Sequence, residues 1–175
     1  MPDLLTHYAL SLLVASRVFR FRVAAFIALA GLLPDVDVLF LVHRWVTHSL
    51  VLTMVAGVLV LAVTVWFSKS AVIPVSVVFA LYATHIVMDA LTSPTPVLWP
   101  LIGLSHAVKI NVNGLLSSGD VALIPAISIE SAPLEFTRRY FIEGPIVSEY
   151  GVVIALAVAA ALLVEFLAGK VGRGV

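Results

Sequence analysis

The sequence predicts an all-α polytopic membrane protein with about five transmembrane or membrane-embedded helices. A long, partly β-like loop (92–145) is expected to cap one face. Three observations carry this expectation. The chain is 62% apolar and 11% charged, whereas soluble domains run at about 45–50% and about 25%. Its mean hydropathy is +1.15. Long apolar runs alternate with short connections, and the ionisable residues gather in few places. A length of 175 residues fits one integral membrane domain, 1–175.

The elements follow in order. Residues 4–16 are apolar except for Thr6, His7 and Ser11. They are read as a retained helix and not a cleaved leader, because no basic segment precedes them and Asp3 and His7 interrupt the apolar run. Residues 23–33 form a second apolar run that ends at Pro34. VDVLFLV (36–42) is expected to be a separate short helix with Asp35 as its N-cap. SLVLTMVAGVLVLAVTVWF (49–67) is free of charge and long enough to cross about 30 Å of hydrocarbon. Thr47 or Ser49 is a candidate cap for it. AVIPVSVVFALYATHIVMDAL (71–91) is a further span, with Pro74 in its first turn, where proline is tolerated, and His85 and Asp89 at its far end. Residues 92–145 begin with the proline-rich SPTPVLWP and continue with β-like composition around glycine and serine turns. They are expected to fold back over one end of the helices. The last span, 146–168, contains GVVIALAVAAALLVEFLA, with Glu165 as its one charge after residue 150.

Several function classes are excluded. The net charge is zero and the basic residues form no run, so a nucleic-acid footprint is lacking. There is no cysteine, which rules out disulfides, thiolate metal sites and cysteine nucleophiles. No H-E-x-x-H, phosphate-binding loop, dinucleotide fingerprint or nucleophile elbow occurs.

Against this apolar background, Asp35, Asp37, His43, Arg44 and His48 fall within fourteen positions. The short connections at 17–22 and 68–70 make neighbouring helices antiparallel. His7 and His48 then start odd-numbered helices, while Asp35, Asp37, His85 and Asp89 end even-numbered ones. All six collect at one membrane face. His85 and Asp89 form H-x-x-x-D, whose i,i+4 spacing places both on one side of a helix. Two aspartates as close as Asp35 and Asp37 repel unless a cation or proton intervenes. Arg44 is a candidate partner for Asp37 or for an anionic group such as phosphate. His106 lies in the long loop and is the weaker candidate.

Ionisable groups at the end of a membrane span point to function. Imidazole with carboxylate suits zinc, manganese or iron and disfavours an all-oxygen calcium or magnesium site. The expected metal residues are His7, Asp35, Asp37, His48, His85 and Asp89, holding one or two ions. An open metal position supplies an acidified water. Asp37, Arg44 and His43 are the candidate catalytic residues.

The ordered series His7, LLPDVD (32–37), His43-Arg44, THS (47–49) and His85 through Pro100 resembles the YdjM-like family of membrane-bound, metal-dependent hydrolases. The likeness covers roughly the first hundred residues. It implies a metal site at the six residues above, with His43 and Arg44 beside it, and a distant similarity to zinc-dependent phospholipase C. This chain departs from the family pattern at Val38, where histidine is frequent, and at Trp45, where glycine is frequent. The first departure bears on how many ions are held.

The expected function is therefore hydrolysis of a phosphoester in an amphiphilic or lipid-linked substrate at the bilayer, without nucleic acid. A non-catalytic membrane scaffold or regulator with a structural metal is the alternative; a metal or proton transporter is a third. Arg17, Arg20, Arg22, Lys69, Lys170 and Arg173 lie opposite the cluster. The positive-inside rule then places the N-terminus and the site on the extracytoplasmic face and the C-terminus in the cytoplasm.

Overall fold

The computed structural model describes residues 3–42, 44–117, 120–140 and 145–168. It is mostly helical, with one two-stranded antiparallel sheet. Helix α1 (Leu4–Ala15) starts at Asp3, whose carboxylate accepts the Thr6 N–H as an N-cap. Helix α2 (Phe21–Ile27) passes without a break into a 3-10 segment, Ala28–Phe40. Helices α3 (Leu50–Phe67) and α4 (Val72–Ala90) form a hairpin. Strands β1 (Leu104–Ser117) and β2 (Asp120–Pro133) follow. Helix α5 (Glu149–Leu167) is the last element among the described residues.

Among the described residues, four helical stretches are long and apolar enough to cross a membrane: Phe21–Phe40, Leu50–Phe67, Lys69–Ala90 and Glu149–Leu167. The expected break at Pro34 does not occur. Pro34 lies inside one continuous helical stretch and Asp35 caps nothing. Proline removes one N–H donor from the helical ladder, but its fixed φ fits the winding, and the 3-10 geometry that begins at Ala28 runs on through it to Phe40. Thirteen residues is long for that geometry. At its end, Leu41 adopts a left-handed φ of 58°, which turns the chain back. For α3 the cap is Ser49, which accepts the Leu52 N–H at 3.1 Å. His48 therefore sits ahead of the helix, in a 3-10 turn at Val46–His48.

Helix α1 packs between α5 and the 3-10 segment, and α4 packs between the 3-10 segment and α3. Helices α1 and α5 run parallel. Asp3 accepts the Ser148 N–H at one end, and Arg17 pairs with Glu165 at the other. Burial pushes the Asp3 carboxyl up, but hydrogen bonds from Ser148 and Thr6 outweigh it and hold its pKa at about 2. Gly151 makes the Asp3 clamp possible, because a Cβ there would overlap the carboxylate.

Burial is inverted relative to a soluble protein. The most deeply buried side chains include His48, His85, Thr95, Asp3, Asp37 and Asp89. Large apolar residues on α3 and α5, such as Val58, Leu59, Val153 and Leu163, face outward. This is the arrangement expected where the surrounding solvent is lipid.

The long loop differs from expectation. Its β1–β2 ribbon pairs fourteen residues per strand in continuous register, Leu104↔Pro133 to Ser117↔Asp120. Of the helices, only α4 makes more than slight contact with it, and from Ile110 to Ser131 its described residues are exposed. The ribbon extends away from the helices instead of covering them: its described bonds to the rest of the chain lie at its root, where His106 pairs with Thr95 and Lys109 reaches the Thr92 carbonyl.

Candidate metal centre

Four separate segments deliver the polar cluster. His7 comes from the first turns of α1, and Asp35 and Asp37 from the 3-10 segment. Arg44, Thr47 and His48 come from the connection before α3, and His85 and Asp89 from the last turns of α4. The His7 and His85 rings stack with centroids 3.7 Å apart and planes 21° apart. His48 meets His85 edge-on at 5.4 Å. Asp35 Oδ1 lies 3.4 Å from His85 Nε2 and 3.6 Å from His48 Nε2. Asp89 Oδ1 lies 3.4 Å from His7 Nε2, and its Oδ2 lies 3.6 Å from His48 Nε2.

These separations are too long for good hydrogen bonds. They match ligands sharing one ion: two donors, each about 2.0–2.1 Å from a tetrahedral zinc, stand about 3.3 Å apart. Among the described residues, two sets could hold a metal ion: His7, His85 and Asp89, and Asp35, His48 and His85. Both use His85.

A surrounding layer fixes the imidazoles. His85 Nδ1 lies 2.7 Å from the Gly31 carbonyl. A carbonyl only accepts, so Nδ1 carries the proton and the Nε2 lone pair faces the cluster. Asp37 does the same for His48, with Oδ2 3.0 Å from Nδ1. That oxygen also accepts the Trp45 N–H at 2.8 Å and the Thr47 hydroxyl at 2.9 Å. Arg44, at a left-handed φ of 57°, donates Nε–H to Asp89 at 3.0 Å and Nη1–H to the Pro94 carbonyl at 3.3 Å. Tyr82 donates to the Thr47 carbonyl at 2.8 Å.

The electrostatics call for a cation. Among the described residues, the cluster holds three aspartates, Asp35, Asp37 and Asp89, and one guanidinium, that of Arg44, which pairs with Asp89. With neutral imidazoles, two negative charges remain uncompensated in a site where Asp37 and Asp89 are each 1% exposed. Uncompensated buried charge is costly. Burial would lower the His48 pKa, but Asp35 and Asp37 outweigh it and raise it to about 9. A proton there meets part of the same demand. His85 Nε2 and Asp89 Oδ1 are buried without a hydrogen bond among the described residues.

Of the residues singled out from sequence, His7, Asp35, His48, His85 and Asp89 converge. Asp37 belongs to neither convergent set and stands behind His48. The partner of Arg44 is Asp89, not Asp37. His43 lies outside the described residues, as do Lys170 and Arg173. His106 is elsewhere, bridging to Thr95 with Nδ1 3.0 Å from Ser131. Sequence reasoning missed Gly31 and Tyr82. The carbonyl of Gly31 carries no side-chain signal, and Tyr82 is one aromatic among many. It also missed the double role of Asp3, although Asp-x-x-Thr at a helix start is a capping signal.

The fold and the cluster together define a membrane protein with a buried histidine–aspartate centre at one end of its helices. The family model described as YdjM inner membrane protein matches residues 1–170, and the chain belongs to that family. No curated protein and no solved structure shows significant similarity to it.

Proposed function

We propose that the protein is a membrane-embedded, metal-dependent hydrolase of a phosphoester in a lipid or lipid-linked substrate. The observation that carries this reading is the convergence of five imidazole and carboxylate donors from four segments of the chain. His7, His48, His85, Asp35 and Asp89 would hold a divalent ion. Zinc fits this donor set best, and manganese or iron would use the same groups. The two sets share one His85 Nε2, which favours one ion over two.

A bound ion would supply a Lewis acid and an acidified water. The remaining roles belong to the chain. Gly31 and Asp37 hold His85 and His48 in the ligating tautomer, so Asp37 acts as a positioning residue. Asp35, with its side chain 18% exposed, is the most open carboxylate of the cluster, and its second oxygen is the acceptor for the water's proton. Arg44 Nη2 is buried without a hydrogen bond among the described residues, and it would hold a phosphate oxygen. A cleft of about 420 Å³ between α1, α4 and α5 is lined by Thr6, Leu10, Met88, Leu91, Tyr150 and Ile154, among others. Thr6 adjoins His7 and Met88 adjoins Asp89 in sequence, so an acyl or prenyl chain could lie beside the centre.

We place the four long stretches across the bilayer, with the N-terminus and centre outside and the C-terminus in the cytoplasm. Arg17, Arg20, Arg22 and Lys69 at the opposite end support this orientation.

Near-complete burial favours a second reading, a structural ion in a membrane scaffold. One experiment separates them: metal analysis of purified protein, followed by a screen of phospholipids and simple phosphoesters. Stoichiometric metal that is lost in Asp35→Ala and His85→Ala, with hydrolysis by the wild type, supports the enzyme. The same metal without hydrolysis supports the scaffold. Metal retained in both variants removes the site.

A further inference from the structure

The β1–β2 ribbon has two unlike faces. Residues paired across the register share a face, and alternate pairs lie on opposite faces. Ile110↔Ile127, Val112↔Pro125, Gly114↔Leu123 and Leu116↔Val121 make one face. It carries no polar side chain over these eight positions. Ile110, Val112, Leu116, Val121, Leu123 and Ile127 are each 62–82% exposed. The other face is mixed: Lys109, Asn111, Asn113, Asp120 and Ser128 fall on it together with Leu115 and Ile124, so every described polar side chain from Lys109 to Ser128 outside position 117 lies on this side. An exposed apolar surface of this size marks an interaction site, and a lone hairpin in water is marginal at best.

The root of the ribbon has a fixed level. Thr95 and His106 exchange backbone hydrogen bonds at 2.9 and 3.0 Å. Lys109 Nζ donates to the Thr92 carbonyl at 2.7 Å. Both anchors follow directly after the Asp89 end of α4. Aromatic residues of the kind enriched at membrane boundaries mark the same end. Trp99 meets Phe136 edge to face at 5.9 Å, and Tyr150 is 74% exposed in the first turn of α5.

We propose that the ribbon lies flat in the lipid–water boundary, with its apolar face on the acyl chains and its asparagine face toward water. The occupant of the apolar face is thus the bilayer itself. The outer edges of a two-stranded ribbon carry unpaired N–H and C=O groups, which hydrocarbon cannot satisfy. Deep insertion is therefore excluded, and full immersion in water leaves the apolar face uncovered. The boundary satisfies both, as it does for amphipathic helices. The inference rests on α4 crossing the bilayer, as proposed above.

The sequence contains no cysteine, so single-cysteine variants report without background. Val112→Cys and Leu123→Cys sample the apolar face, Asn113→Cys and Ser128→Cys the polar face, and Leu59→Cys the outward side of α3. Each full-length variant carries an environment-sensitive fluorophore in phosphatidylcholine–phosphatidylglycerol vesicles. Quenching by aqueous iodide is compared with quenching by shallow and deep lipid-borne nitroxides. The expected result is quenching by the shallow lipid probe at 112 and 123, by iodide at 113 and 128, and by the deep probe at 59. Equal iodide quenching on both ribbon faces, with position 59 still in lipid, overturns the proposal alone. Iodide quenching at position 59 as well overturns the membrane-spanning reading beneath it. Shielding at 112 and 123 that disappears at one copy per vesicle assigns the face to a second copy and also overturns the proposal.

Discussion

The carbonyl of Gly31 receives Nδ1 of His85 at 2.7 Å, and Gly31 can stand there because it has no side chain. A Cβ at this position would overlap the hydroxyl of Ser11 on α1. The 3-10 segment, α1 and α4 are thus held in contact at one peptide group.

Gly31→Ala should therefore weaken metal binding without touching a ligand. A displaced outer partner of a ligating histidine typically costs about 10–100-fold in affinity. Competition with a chromogenic chelator measures this. Adding Ser11→Gly removes the overlap and should restore most of the loss; no recovery would show that the contact is not the cause.

Asp37→Asn tests the layer behind His48. The amide oxygen can still accept from Trp45 and Thr47, so thermal unfolding of the metal-free protein should shift little. Metal affinity should fall by about 10–100-fold, because a neutral amide supports the imidazole less well. Complete loss of metal with unchanged folding would instead make Asp37 a ligand.

Arg44→Lys keeps the charge and loses the planar fork. Metal content should remain stoichiometric, since Asp89 keeps a cation nearby. Hydrolysis of a phosphoester should drop by about 100-fold in kcat, the scale of losing one donor to developing charge. Unchanged turnover would remove Arg44 from phosphate binding.

Asp3 offers a pH test away from the metal centre. Its folded pKa of about 2 lies below the ordinary value of 3.8. The stabilisation it gives is present above pH 4 and fades as the pH falls toward 2. Asp3→Asn should cost about 1–3 kcal/mol at neutral pH, because the neutral amide loses the charge that the Ser148 and Thr6 hydrogen bonds stabilise, even though its oxygen can still cap α1. The gap between variant and wild type should close in acid. Gly151→Ala should produce a similar loss, and the double variant should be less than additive.

Much of this arrangement was legible in the sequence. Apolar runs gave α3, α4 and α5 within a few residues, because lipid-facing helices need no alternation of polar positions. The alternation of short connections was enough to bring His7, Asp35, His48, His85 and Asp89 to one end. The path through Pro34 was misjudged: proline removes one N–H donor but its fixed φ is compatible with helical winding, and the 3-10 segment, which already begins at Ala28, continues through it. The strands were recognised by composition, yet their direction was not. Whether a hairpin folds over the helices or leaves them depends on edge contacts that no residue type announces. The division between Asp35 and Asp37 was equally hidden: their two-residue offset points one at the centre and the other at the back of His48.

The clamp between Asp3 and Ser148 joins residues 145 positions apart. Closing a loop of that length costs chain entropy. Helix α1 also packs on the 3-10 segment and α4, so those nearer contacts bring His7 to His85 and Asp89, and the distant clamp to α5 then locks the helix that carries it.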